Sequence, residues 1–371
     1  MNDLVSCLRL ARSENIGKST FFRLIEIFGS AQESLRRIED GSLTPDFKKR
    51  IKIFSNLEAE SEIEKTKNFG AEIITFFDSR YPRLLREIPD PAPIITAKGD
   101  FDFFNRDIVA IVGPRNASFN AINLAKKIAV DLGQNSVVVA SGLARGVDCA
   151  AHEASILSGT IAVIGGGINH IYPRENEKLF GEISRRGLLV SESAFGAIPK
   201  GGNFVQRNRI ISGLSLAVIV VEAGLKSGSL TTAKFAVEQG REVFAVPGSP
   251  FDPRCHGTNR LIKDGAKMFE SIDDVFEELP RLRVIFRDVG MLYEPQGEDF
   301  EHGFIKIPAQ DDIQKVRNEI LSRLSFVAID IEEIVSKLRL PPKVVSIAII
   351  QLELMGKVKV DLGKVVLNSP I

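Results

Sequence analysis

The sequence predicts an α/β protein: a parallel sheet flanked by helices, preceded by a small helical region and followed by a compact helix-and-hairpin unit. Three observations predict it. From Ile108 to Met268, short β-branched apolar runs take turns with helical patterns. The runs are continuously apolar rather than alternating, as burial on both faces of a parallel sheet requires. Each ends in or near Gly, Ser or Glu, on the edge that forms the ligand crevice of open α/β sheets.

Taken in order, residues 1–70 read as helical. Leu4, Leu8 and Leu10 lead to a break at Gly17, Ser19 can cap the next helix, and Phe22, Ile25 and Phe28 keep helical spacing. This helix, glycine turn, helix resembles a helix-hairpin-helix, which touches nucleic-acid backbone through turn amides; a small packing domain fits the same pattern. Residues 71–107 read as a transition. Ala71-Glu-Ile-Ile-Thr-Phe-Phe77 is strand-like, after which Pro89, Pro91 and Pro93 break regular structure.

The main domain is expected over 108–280. Its first unit is Ile108-Val-Ala-Ile-Val-Gly-Pro-Arg-Asn-Ala-Ser118: strand, short turn carrying Arg115, helix start. Such a turn aims backbone N–H groups and a helix dipole at an anion. With one glycine it is not the G-x-G-x-x-G fingerprint. Further strands are expected at 136–142, 160–167, 188–193, 216–223 and 242–248. Helices are expected from Asp148 toward Leu157, at 175–185, near 208–212 and at 229–239.

Residues 281–310, charged and Gly-containing, read as a linker. Over 311–371, three helices (313–324, 330–338, 344–355) and a hairpin turning at Gly363 make a winged helix. In that fold the third helix usually reads the major groove. Here that helix is Val-Val-Ser-Ile-Ala-Ile-Ile-Gln-Leu-Glu-Leu-Met, with almost no donors for base edges, so protein contact or plain packing suits it better.

Composition sets bounds on function. A chain of 371 residues has room for two or three domains and a large core. No apolar run reaches membrane-spanning length, and the first residues carry no basic-then-apolar leader pattern. Cys7, Cys149 and Cys255 lie far apart, which argues against a disulfide framework or a zinc cluster and suits a reducing, cytoplasmic setting. Forty-eight basic residues balance 48 acidic ones, so no general coat of positive charge is expected, only a local pocket.

The inventory for catalysis is thin. His152, His170, His256 and His302 show no ligand spacing, and neither a G-x-S-x-G elbow nor a Walker lysine motif occurs, so no metal or cofactor is expected. Glu192 and Glu222 end strands beside the crevice, as a carboxylate pair or as acceptors for loop amides. Basic residues are more telling. Arg115, Arg145, Arg174, Lys200, Arg207 and Arg209 all fall in or just beyond loops at one sheet edge, where they suit several phosphates. Phe204 and Tyr172 share those loops and can stack on bases.

Longer motifs make the reading specific. Ser141-Gly-Leu-Ala-Arg-Gly-Val-Asp-Cys-Ala-Ala-His152, Tyr172-Pro-Arg-Glu-Asn176, Arg207-Asn-Arg-Ile-Ile-Ser-Gly-Leu214, Val220-Val-Glu-Ala223, Ser227-Gly-Ser-Leu-Thr-Thr-Ala233, Val246-Pro-Gly-Ser249 and Gly257-Thr-Asn-Arg-Leu-Ile-Lys-Asp-Gly-Ala266 together resemble the DprA/Smf family, the DNA-processing proteins of natural transformation. The resemblance covers nearly the whole chain. Pro114 departs from the family's usual Ser, and Val205 from its usual Pro. The resemblance implies an extended Rossmann-like fold that binds single-stranded DNA without sequence preference, acts without catalysis, forms a homodimer, and recruits and loads RecA during transformation and recombination. It implies DNA contacts at Arg115, Lys200 and Phe204. With the converging loop residues, the expected DNA-binding set is Arg115, Ser141, Gly142, Arg145, Arg174, Lys200, Phe204, Arg207, Asn208 and Arg209. The resemblance places the dimer surface at Ile262 and Met268, and a RecA-facing surface near Lys263 and Asp264. Two other readings stay open: a Rossmann-fold nucleotide N-glycosidic hydrolase using Glu192 or Glu222, and a winged-helix regulator with an appended sensor domain, against which the apolar third helix argues.

Overall fold

A computed structural model describes residues 3–42, 51–282 and 310–368. Nine strands form one sheet: β1 (Glu72–Thr75), β2 (Ile94–Gly99), β3 (Ile108–Val112), β4 (Val138–Ser141), β5 (Thr160–Ile164), β6 (Leu188–Ser191), β7 (Ala217–Val220), β8 (Glu242–Ala245) and β9 (Lys267–Met268). Their spatial order is β1-β2-β6-β5-β4-β3-β7-β8-β9. From β6 through β9 every pairing is parallel, while β1 and β2 run antiparallel to their neighbours.

The continuous apolar runs behave as burial on two faces demands. In β3, Ile108, Ala110 and Val112 enter one core with Ile210, Ile211 and Leu214 of helix Gly201–Leu214 and Ala233 and Ala236 of helix Ser229–Glu238. Val109 and Ile111 enter the opposite core, with helices Phe119–Gln134 and Val147–Ser155.

The sheet is wider than the sequence indicates. The segment 71–107, expected as a transition, contributes β1 and β2. The prolines that read as a break end at Pro93, one residue before β2, and β2 then pairs with β6 from Thr96↔Ser191 to Gly99↔Leu188. The helix expected near 208–212 begins seven residues earlier, at Gly201. Gly201 and Gly202 occupy its first turn, where backbone N–H groups have no intrahelical partner in any case. Lys200, Phe204 and Arg207 therefore lie along the start of one helix rather than in a loop.

Chain order determines where the site lies. Strands β4, β5 and β6 step away from β3 on one side; the chain then returns through helix Gly201–Leu214 to lay β7 against the other side of β3. The carboxyl ends of β3 and β7 flank that reversal, where the loops diverge and a crevice opens.

The outer units are fastened to the sheet by specific bonds. The N-terminal helices Leu4–Arg12, Lys18–Phe28, Ala31–Glu39 and Asn56–Asn68 share a core with Ile73 and Ile94. Arg12 donates to the Glu192 carbonyl at 3.2 Å, and Phe195 N–H donates to Glu62 at 3.3 Å. The C-terminal unit has helices Gln310–Arg323, Ile331–Leu338 and Pro342–Leu354 with strands β10 (Ile329–Asp330), β11 (Val358–Asp361) and β12 (Lys364–Leu367), a winged helix. Phe119, the first residue of its helix, is buried in the core of this unit. Asn120 donates to Ser325 at 2.6 Å and Lys337 to the Phe119 carbonyl at 3.0 Å. The linker expected at 281–310 lies almost wholly outside the described residues.

Candidate nucleic-acid interface

Loops after β3, β4, β5, β6 and β7 meet around one cleft of about 870 Å³ at the switch point. The β3 loop supplies Arg115, exposed, on the turn before helix Phe119–Gln134. Two bonds fix this turn. Ser118 caps the helix by accepting from Ala121 N–H at 3.1 Å, and its own N–H donates to the buried Glu222 carboxylate at 3.0 Å. The Arg115 guanidinium sits 5.4 Å from the centre of the Phe204 ring. Tyr172, from the β5 loop, packs on the same ring at 5.1 Å and an angle of 42°. A small pocket between them is walled by Gly142, Ala144, Arg145, Pro173 and Arg207 as well.

Beneath this surface lies a buried polar layer that shapes the β4 loop. Leu143 and Gly146 take positive φ, 54° and 79°. The Asp148 carboxylate accepts from Gly142 N–H at 3.2 Å and Ala144 N–H at 3.3 Å. His152 accepts from Leu143 N–H at 3.3 Å and contacts Thr160 Oγ1 at 2.7 Å, and Asn176 donates to the Leu143 carbonyl at 3.0 Å. Burial pushes the Asp148 carboxyl up, and burial with a nearby Arg207 pushes His152 down to about 3. Arg207 is 7% exposed, and among the described residues its Nε and Nη1 have no hydrogen-bond partner. Burial, only partly offset by Asp148, brings its pKa down to about 10. Room for the guanidinium exists because residue 142 is glycine: a Cβ there would lie 1.5 Å from Arg207 Nη1.

The expected DNA-binding residues divide into three groups. Arg115, Gly142, Arg145, Phe204, Arg207 and Asn208 line the cleft or its small pocket. Arg174, which opens a short 3-10 turn, and Lys200, which caps helix Gly201–Leu214, are exposed and line neither. Ser141 and Arg209 differ from expectation, because both are buried and used internally. Ser141 donates to the Ile111 carbonyl at 2.7 Å, tying β4 to β3. Arg209 points away from the cleft and bonds Glu192 and Asp90. One helical position decides this: Arg207 and Arg209, two residues apart, cannot share a helix face.

Sequence reasoning gave no role to Lys226, Ser227 and Ser229, which line the cleft from the β7 loop, or to Asp148 as the organiser of the β4 loop. Ser227, Ser229 and Asp148 lie within the long motifs and Lys226 just outside one, but a motif does not say which side chain faces the ligand and which holds the loop. Ile262 is half-buried on helix His256–Lys263; Met268, on edge strand β9, is 47% exposed. Lys263 and Asp264 are exposed, and Asp264 pairs with Arg260 at 2.9 Å.

The family model for DNA recombination-mediator protein A matches residues 72–280, more than half of the chain. The chain belongs to the DprA family. Models of the DprA-like N-terminal HHH domain and the DprA winged helix domain match residues 2–64 and 306–364. The DprA core match begins at β1, so the two antiparallel strands belong to the family's central domain. A DNA processing protein DprA from Bacillus subtilis is 44% identical over 222 residues, covering 59% of this chain and 75% of the relative. A protein Smf from Synechocystis is 33% identical over 332 residues, 83% of each chain. Among solved structures, DprA of Streptococcus pneumoniae aligns with a TM-score of 0.63 at 30% identity, over 75% of this chain and 99% of that one. The Helicobacter pylori DprA structure, described as a single-stranded DNA binding mode of that protein, aligns with a TM-score of 0.53 at 29% identity, over 58% and 97%.

Proposed function

We propose that the chain binds single-stranded DNA without sequence preference across the cleft at the β3–β7 switch point, and that it loads RecA onto the bound strand during natural transformation and recombination. The observation that supports this best is the Arg115–Phe204–Tyr172 cluster. It joins a cation with freedom to turn toward a phosphate to two aromatic rings at stacking distance from one another. Phosphate contact and ring stacking are available to every base, so this pairing gives affinity without base readout. Arg145, Arg174 and Lys200, exposed around the cluster, extend the positive surface on a chain whose net charge is zero. The homodimer places Ile262 and Met268 at its contact, with Lys263 and Asp264 facing RecA.

The hydrolase reading that uses Glu192 or Glu222 needs one of those two carboxylates in the cleft. Glu192 is engaged by Arg209, Glu222 holds the Ser118 N–H, and neither lines the cleft. No observation favours that reading.

The test is Arg115→Ala measured against oligothymidylate over a range of salt. Its affinity falls, the slope of log affinity against log salt falls by roughly 0.7 for one lost phosphate contact, and the melting temperature stays. A folded variant with unchanged affinity and slope rejects this surface as the DNA site.

A further inference from the structure

The winged helix is fastened beside the turn that carries Arg115. Phe119 opens helix Phe119–Gln134 just past that turn. Its ring is 2% exposed and sits in the core of the winged helix with Ile320, Leu324, Ile334 and Val345. The Lys337 ammonium lies 5.5 Å from the ring centre and the Arg323 guanidinium 6.0 Å. Beside its bond to the Phe119 carbonyl, Lys337 donates to Asn123, and Asn123 donates to Glu333. Asn120 donates to the Val327 carbonyl at 3.1 Å as well as to Ser325. A second tie comes from the β8 loop, where Arg254 pairs with Asp252 at 2.8 Å and donates to the Ser322 carbonyl at 3.3 Å.

Three consecutive residues thus hold the far end of the turn. Ser118 N–H is bonded to Glu222, just past β7, while Phe119 and Asn120 are held by the winged helix. Arg115 itself is exposed, so its reach toward a phosphate depends on how firmly its turn is set. A turn fixed before the ligand arrives loses less freedom on binding it. Apart from the ring, these ties are hydrogen bonds, and the winged helix has a core of its own. Domain contacts of that polar kind open and close unless they are large and apolar. Opening puts the Phe119 ring into water, so the docked state is the favoured one.

We propose that the docked winged helix sets the Arg115 turn for strand binding, with Phe119 and Lys337 as positioning residues. This rests on the strand-binding reading. Neither residue lines the cleft or its small pocket. Each acts on the phosphate contact only through Arg115, by fixing the helix start that follows its turn.

The experiment uses the full chain. Oligothymidylate affinity is measured over a range of salt for Phe119→Ala, Phe119→Leu, Lys337→Ala, Arg115→Ala and the Lys337→Ala/Arg115→Ala double variant, with a melting scan of each. Lys343→Ala, at an exposed lysine on the third helix of the winged unit, is the charge control. Phe119→Ala and Lys337→Ala each weaken binding about fivefold or more. They also lower the salt slope by up to roughly 0.7, the change expected for one lost phosphate contact. Phe119→Leu recovers most of the loss, and Lys343→Ala stays within about twofold of the wild type. The double variant binds no more weakly than Arg115→Ala alone, because both changes remove the same contact. Losses that add in the double variant mean that Lys337 meets the strand itself, and they overturn the positioning role. So does a folded Lys337→Ala or Phe119→Ala protein that binds like the wild type while Arg115→Ala does not; the strand reading then survives. If Arg115→Ala binds like the wild type, the strand reading falls at this surface and the positioning role goes with it.

Discussion

Phe204 carries a ring that the protein does not need for its own core. It is half-buried, it touches Tyr172 and Arg115, and it belongs to none of the buried clusters. Phe204→Ala is therefore expected to cost on the order of 1–3 kcal/mol in strand binding, with little change in melting temperature; calorimetric titration beside a thermal scan checks both. His152 is the opposite kind of residue, fully buried and spent on the β4 loop. Its folded pKa of about 3 lies below the usual value near 6.5. Between those values the unfolded chain binds the extra proton, so His152 supports the fold fully above pH 6.5 and loses that support as pH falls toward 3. The loss approaches about 1.4 kcal/mol per pH unit within that window. His152→Gln keeps an acceptor for Leu143 N–H without titrating, and denaturant melts of the variant from pH 4 to 7 should show a shallower pH dependence. The sequence located both residues, and its motifs named the stretch around each. It assigns both arginines of Arg207-Asn-Arg209 to the ligand, whereas only Arg207 lines the cleft, because which one faces it depends on where the helix starts.

At the scale of elements, the β4 loop is the piece whose shape everything above it depends on. Gly146 holds a φ of 79°, and a Cβ there would lie 2.3 Å from the Pro114 carbonyl oxygen. Gly146→Ala meets backbone strain worth on the order of 1–3 kcal/mol before any clash is counted. The clash is with the turn that carries Arg115, so both stability and strand affinity are expected to fall, in contrast to Phe204→Ala. Chemical denaturation paired with a binding isotherm separates the two patterns. The strands β3 to β8 were legible because burial on both faces leaves a plain apolar signature. β2 was not, because its prolines come first and its partner β6 is about 90 residues away in sequence, a relation that local patterns do not carry.

At the scale of the molecule, the edge beyond β8 is the place to look for a partner. β9 is two residues long, and its Met268 is 47% exposed. A two-fold contact using Ile262 and Met268 covers apolar surface and closes an open sheet edge. Ile262→Glu is expected to give a folded monomer that keeps single-site affinity for short strands but loses cooperative coverage of long ones, since two linked sites raise effective concentration. Sedimentation velocity decides it, and an unchanged dimer mass or an unfolded chain rejects the interface. Nothing in the local pattern of Leu261-Ile-Lys-Asp-Gly-Ala266 distinguishes a helix packed on its own sheet from one packed on a copy; that placement came from the family resemblance.

The antiparallel pairing of β2 with β6 has a consequence for synthesis on the ribosome. β2 leaves the exit tunnel with β1 already made for Ile94 and Ile95, while the edge from Thr96 to Gly99 is formed for a neighbour that has not been made. At ordinary elongation rates of about 5–20 residues per second, β6 follows between roughly 4 and 18 seconds later. For that interval the N-terminal helices, which share Ile73 and Ile94 in their own core, are the cover at hand. The same helices still cover Ile94 in the finished fold, where the β6 loop is bonded to Arg12 and Glu62.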